Sequence, residues 1–136
     1  MDKFNHFGIK YDISKDYVSL DLFGDMGVDD DYYVNLAKAS RCLTEVVSGV
    51  ISERRYEDFK WDVQNLRNAR KDLVELIEDQ SEIMATHGVT VSLVRPKSKK
   101  ENVFNKMGFS FIQRFYDSYS FNDYIDRKES EYFRKI

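Results

Sequence analysis

Apolar residues alternate with polar ones at Ile9, Tyr11 and Ile13, and again at Val18, Leu20 and Leu22, on either side of Ser14-Lys15-Asp16. A period of two marks a half-buried strand, so this segment predicts a β-hairpin. Phe23-Gly24-Asp25-Met26-Gly27 ends the second strand in a loop whose two glycines can take backbone angles closed to other residues. After Asp29, Asp30 and Asp31 the period changes. Tyr33, Leu36, Leu43, Val46, Val47, Val50 and Ile51 predict a helix of about five turns with one buried stripe. The aspartates at its start suit the positive end of the helix dipole and can cap exposed amides. Glu53-Arg54-Arg55 closes it with cations, as the dipole prefers at a C-terminus.

Phe59, Trp61 and Val63 form the next alternating strand, and Leu73, Leu76, Ile77, Gln80, Ile83 and Met84 repeat at helical spacing after it. His87-Gly88 marks the end of that helix, and Val89, Val91, Leu93 and Val94 a short apolar strand. A helix between two such strands is long enough for a right-handed crossover, so these strands should run parallel in one sheet. The unit from Phe59 to Val94 therefore organises the chain, and its turn, Asn65 to Asp72, is where function should be decided. Beyond it, Arg95-Pro96-Lys97-Ser98-Lys99-Lys100 breaks the pattern with the one proline and a dense positive run. Val103, Phe104 and Met107 predict a short helix ended by Gly108, and Phe109, Phe111, Ile112 and Phe115 a last strand or extended segment. Ser118 or Ser120 can cap a final helix carrying Phe121, Tyr124 and Ile125, with 126–136 a charged C-terminal extension. Residues 1–136 read as a single α/β domain: a mixed, mostly parallel sheet, an N-terminal hairpin and about four helices.

Composition narrows the function more than the fold. The 136 residues, 42% hydrophobic, suffice for one core. A net charge of −3 weighs against nucleic-acid binding through overall electrostatics. Cys42 alone can form neither an internal disulfide nor a cysteine-based zinc site, and its apolar neighbours predict a buried thiol. Met1 to Phe7 has no long apolar run after a basic start, and no stretch approaches the roughly 20 apolar residues of a membrane span; a cytoplasmic location is expected. His6 and His87 are the two histidines, too few for a His-based triad or metal cluster of recognisable spacing. Asp29 to Asp31 would need further ligands to hold a metal. Gly24-Asp25-Met26-Gly27 lacks the length and the lysine of a phosphate-binding loop. No catalytic residue, cofactor or metal is assigned. The basic run of Arg95, Lys97, Lys99 and Lys100 could contact a nucleotide, CoA or a lipid head group, which makes a small-ligand binding or enzyme domain using residues 95–106 one alternative, or it could be a solvated loop. Val103 to Phe109 is also similar to the end of an acyl-CoA-dependent N-acetyltransferase, whose earlier pyrophosphate loop is missing here. Aromatic residues, 15% of the chain, concentrate after Phe104, so a structural protein that forms a homodimer through its aromatic C-terminal part is the other alternative.

The order of elements resembles the STAS fold of bacterial anti-anti-sigma factors, most sharply over Asp62 to Tyr124. Asp62-Val63-Gln64-Asn65-Leu66 stands where that family ends its third strand, and Arg70-Lys71-Asp72-Leu73 where it places an Asp-Ser-Ser-Gly turn. Gly88-Val89-Thr90-Val91-Ser92-Leu93-Val94 matches the next strand, Val103 to Phe109 the late helix and turn, and Tyr116-Asp117-Ser118 the entry to the last helix; Phe23-Gly24-Asp25 is similar to the turn after the second strand. The resemblance implies a non-catalytic regulatory module that binds a protein partner, such as an anti-sigma-type serine kinase, in a partner-switch circuit. It implies a partner surface of Gly24, Asp25, Met26, Arg67, Asn68, Arg70, Lys71 and Asp72. In the family a serine of the turn accepts a phosphate that abolishes the complex. Here Lys71 and Asp72 align with the two serines, and no serine, threonine or tyrosine lies between Lys60 and Gln80, so no phosphoacceptor exists at the family position. Asp72 could supply a permanent charge there, about half that of a phosphoserine. Alternatively, Asn68 caps the helix and Asp72 faces the dipole from its first turn.

Overall fold

The computed structural model describes residues 6–94 and 103–106. Its elements are β1 (Gly8–Ile13), β2 (Tyr17–Asp25), α1 (Asp29–Glu53), β3 (Asp58–Asp62), β4 (Leu66–Arg67), α2 (Lys71–Thr86), β5 (Thr90–Val94) and α3 (Val103–Lys106). β1 and β2 form the expected antiparallel hairpin, from Gly8 opposite Phe23 to Ile13 opposite Val18, and the Ser14 N–H closes it by donating to the Tyr17 carbonyl at 2.9 Å. β2 pairs with β3 and β3 with β5, both parallel, giving the order β1-β2-β3-β5. The crossover unit is thus as predicted: β3 and β5 lie side by side with α2 between them in sequence.

The two long helices, α1 and α2, pack on one face of this sheet. Val18, Leu20 and Leu22 of β2, Phe59 and Trp61 of β3, and Val91 and Leu93 of β5 meet Leu43, Val47 and Val50 of α1 and Leu73, Ile77 and Met84 of α2 in one continuous core. β2 keeps strict alternation of buried and half-buried residues, the mark of a strand with one face in the core. Trp61 is fully buried, and its indole N–H donates to the Ser81 hydroxyl at 2.8 Å. That hydroxyl in turn donates to the Ile77 carbonyl at 2.6 Å, so the polar edge of the ring is satisfied inside the core.

Several local expectations are corrected. α1 runs for 25 residues, about seven turns, and its buried stripe is Tyr32, Ala39, Leu43, Val47 and Val50. Tyr32, not Tyr33, faces inward, because only position 32 falls in phase with Ala39 and Leu43; Tyr33 is 57% exposed. No aspartate caps α1: its N-cap is Val28, without a side-chain hydrogen bond, and Asp29 takes a positive φ of 53°. No basic residue lies in the last turn of α1; Arg54 follows as a left-handed C-cap whose N–H donates to the Val50 carbonyl. In α2, Ser81 is buried where Gln80 was expected, and Ile83 is exposed. Tyr11 and Ile13 of β1 are exposed as well, since β1 is the outermost strand. Val63 falls just past β3, and Cys42 is half-buried rather than buried, with its thiol pKa raised by the burial it has.

Residues 95–102 and 107–136 lie outside the described residues, and with them the basic run, the expected last strand, the final helix and the aromatic C-terminal part. Among the described residues no helix is long and apolar enough to cross a membrane.

Candidate functional site

The two stretches named from the sequence, Gly24 to Met26 and Arg67 to Asp72, are joined by the backbone itself. The turn after β3 is not a free loop: Leu66 and Arg67 form β4, which pairs parallel with Gly24 and Asp25 at the end of β2. The Gly24 N–H donates to the Asn65 carbonyl and the Met26 N–H to the Arg67 carbonyl, both at 3.0 Å. Gly24 is required on two counts. Its φ is +84°, and a Cβ there would run into the His6 carbonyl.

Side chains tighten the same junction. Asp25 Oδ1 accepts the Gly27 N–H at 2.8 Å and the Asn68 side-chain amide at 2.6 Å. The Gly27 hydrogen bond first and the Asn68 hydrogen bond second hold the Asp25 carboxyl below its ordinary range, so it stays ionised. Asn68 has φ +61° and spends its amide on Asp25; it does not cap α2, whose N-cap is Arg70 without a side-chain bond. A left-handed asparagine is well suited to the turn that brings β4 round into α2.

Tyr32 links the starts of the two helices. Its hydroxyl donates to Asp72 Oδ1 and accepts the Arg70 N–H at 3.0 Å, while the Arg70 guanidinium lies over its ring, 4.3 Å from the centroid. Burial first and the Asp72 hydrogen bond second push the hydroxyl well above its ordinary pKa, so it remains protonated as a donor. Asp72 also accepts the Leu73 N–H at 2.9 Å, as expected for a carboxylate in the first turn of a helix. Lys71 reaches Glu75 one turn on at 3.8 Å, a pair exposed on both sides.

Of the eight residues proposed from the sequence, Arg67, Asn68, Arg70 and Lys71 are exposed, and Asp25 and Asp72 are half-buried and hold the junction. Gly24 and Met26 are buried, so Met26 offers no side chain to a partner; its carbonyl accepts the Asn35 side-chain amide at 3.0 Å. Three apolar residues are exposed at the start of α1: Val28 and Val34, which sequence reasoning passed over, at 59% and 56%, and Tyr33, which it placed in the buried stripe, at 57%. Nothing in the hydrophobic pattern marks them as exposed. An open cavity of about 430 Å³ extends the rim from Asp25 and Gly27 past Asp31 and Val34 to His6 and Lys38. The arrangement is a surface of charged side chains that carries exposed apolar residues: Val34 shares the cavity with Asp25, and Tyr33 lies against the Tyr32 ring that Arg70 covers. Asp25 acts here as a hydrogen-bond acceptor, and the Tyr32 hydroxyl donates to Asp72 while accepting from Arg70, so both help to hold the surface in shape.

No family model and no curated protein matches the sequence. Solved structures do. The anti-sigma factor antagonist SpoIIAA in its unphosphorylated form superposes with a TM-score of 0.58 at 17% identity, over 91% of this chain and 98% of that one. The Bacillus cell fate determinant SpoIIAA in its phosphorylated form gives 0.56 at 15% identity, over 90% and 98%. The chain therefore has a STAS-like fold, as its sequence pattern implied.

Proposed function

We propose that this chain is a non-catalytic regulatory module that binds a protein partner through the rim formed by Asp25, Arg67, Asn68, Arg70, Lys71 and Asp72 with Val28, Tyr33 and Val34. The observation that carries this reading is the β2–β4 junction, which fixes two loops into one surface bearing the exposed Arg67, Asn68, Arg70 and Lys71, with Arg70 stacked on Tyr32 and the Tyr32 ring against that of Tyr33. Such a surface suits protein recognition: the apolar and aromatic groups supply affinity, and the charges steer approach and set specificity. The likeness to an anti-sigma factor antagonist supports a place in a partner-switch circuit, with an anti-sigma-type serine kinase as the class of partner. The turn lacks a hydroxyl group, so binding here is constitutive or regulated from elsewhere in the chain.

Affinity capture from the native cell tests this with the wild-type chain and with Arg67→Glu/Lys71→Glu, two exposed residues whose exchange leaves the core intact. Loss of the captured partner is expected. Recovery of the same partner in the same yield overturns the proposed surface.

A further inference from the structure

β1 is the outer strand of the sheet, paired with β2 on one side and, among the described residues, with nothing on the other. The Ser14 to Tyr17 hydrogen bond sets the phase of its ladder, because hydrogen-bonded and non-hydrogen-bonded pairs alternate along an antiparallel pair. Gly8, Lys10 and Asp12 therefore turn their amides and carbonyls toward β2, while Ile9, Tyr11 and Ile13 turn theirs outward. The side chains of these same three residues stand on the helix face, opposite Leu22, Leu20 and Val18. Tyr11 and Ile13 are more than half exposed there, beside a cavity of about 220 Å³ lined by Val18, Val46, Gly49 and Val50. Unpaired backbone groups and exposed apolar side chains on one edge make a template for another strand.

We propose that β1 pairs antiparallel with β1 of a second copy about a two-fold axis at Tyr11, joining two sheets into one. In this register Tyr11 faces its own copy, Ile9 faces Ile13, and Lys10 faces Asp12. The outward amides and carbonyls of Ile9, Tyr11 and Ile13 are the ones the register needs. Lys10 and Asp12 then fall in the non-hydrogen-bonded pairs, where side chains stand closest, and form two ion pairs on the face away from the helices. On the helix face Ile9, Tyr11 and Ile13 of the two copies cover one another.

Charge decides the occupant. A charged residue on an edge strand commonly blocks pairing, because a lone lysine would meet its own copy. Lys10 and Asp12, flanking Tyr11 symmetrically, meet each other instead, so the strand is complementary to itself. The interface uses no residue of the rim described above and is independent of the proposed function.

Sedimentation equilibrium of the full chain, from micromolar to near-millimolar concentration, tests the pairing. The wild type is expected to form a dimer as concentration rises. Lys10→Asp and Asp12→Lys each create two like-charge pairs and should weaken it about tenfold or more. An equimolar mixture of those two variants should recover a heterodimer, since every pair across the axis is again of opposite sign. Tyr11→Pro removes outward donors while leaving the β1–β2 ladder intact, and should be monomeric with an unchanged circular dichroism spectrum. A wild type that stays monomeric overturns the proposal. So does a dimer equally tight in all three variants, as contact through the C-terminal part would give, or a mixture that fails to pair.

Discussion

Tyr32 is the side chain on which the rim most depends. Its hydroxyl serves the Arg70 N–H and Asp72 together, and its ring carries the Arg70 guanidinium, so one buried residue of α1 positions the first turn of α2. Tyr32→Phe keeps the ring and removes the hydroxyl, leaving a half-buried carboxylate and a backbone donor short of a partner. Urea denaturation should show a loss of about 1–3 kcal/mol, while Tyr33→Phe, at an exposed position, should be close to neutral. The same contacts agree with the reading of Asp72 as a first-turn acceptor. Its Oδ1 is engaged inward by Tyr32 and by the Leu73 N–H, which is the work of a helix-start acceptor, so Asp72 enters the rim as the group that holds its shape. The sequence indicated Asp72 and its place in the first turn, but assigned the inward position to Tyr33. A helical period fitted from Leu43 backward through the small residues Ala37, Ala39 and Ser40 has few apolar anchors, and one residue is 100° of rotation.

Among the elements, β3, α2 and β5 form the best-specified unit, and Trp61 ties two of them. Its ring fills the space between sheet and helix beside Phe59, with centroids 4.6 Å apart, and its N–H reaches Ser81 of α2. Ser81→Ala preserves the helix and orphans that N–H, so a cost of about 1–3 kcal/mol is expected, together with a changed Trp61 fluorescence in the folded state. Both strands and the helix were legible, since each carries several apolar residues at its own period, and His87-Gly88 marked the helix end. Ser81 was not, because a small polar residue is buried there only to satisfy a ring twenty positions earlier. β4 was equally hidden: two residues have no period, and their strand character exists only through pairing with Gly24 and Asp25.

Across the whole molecule the sheet has two unlike faces, one built into the core and one charged. Parallel register brings Asp21 directly opposite Asp62 on the charged face. Burial first and the neighbouring Asp62 second raise the Asp21 pKa above the ordinary carboxylate value, with Lys10 and Lys60 opposing. An acid whose pKa is raised by folding binds its proton more tightly when folded. The resulting cost is absent at low pH, appears as pH rises through the unfolded value near about 3.9, and is complete above the folded value. Asp21→Asn should therefore raise stability at neutral pH, by no more than about 1 kcal/mol because the site is partly solvated, and the gain should vanish below about pH 4. Thermal denaturation at the two pH values checks this, and an equal gain at both would contradict it.

The sequence by itself determined the hairpin, the two long helices and the parallel crossover of β3 and β5, because burial against one core imposes periods of 2 and 3.6 that a chain cannot hide, and the order of these elements carried the resemblance to the STAS fold. It also determined that the turn from Arg67 to Leu73 carries no hydroxyl, a matter of residue identity alone. Only the tertiary structure decided what that turn became. The pairing of Leu66 and Arg67 with β2, the left-handed Asn68 bound to Asp25, the inward tyrosine and the exposed patch of Val28, Tyr33 and Val34 all depend on which distant backbones come side by side. Such contacts leave no period in the chain, because each is made once, between residues tens of positions apart.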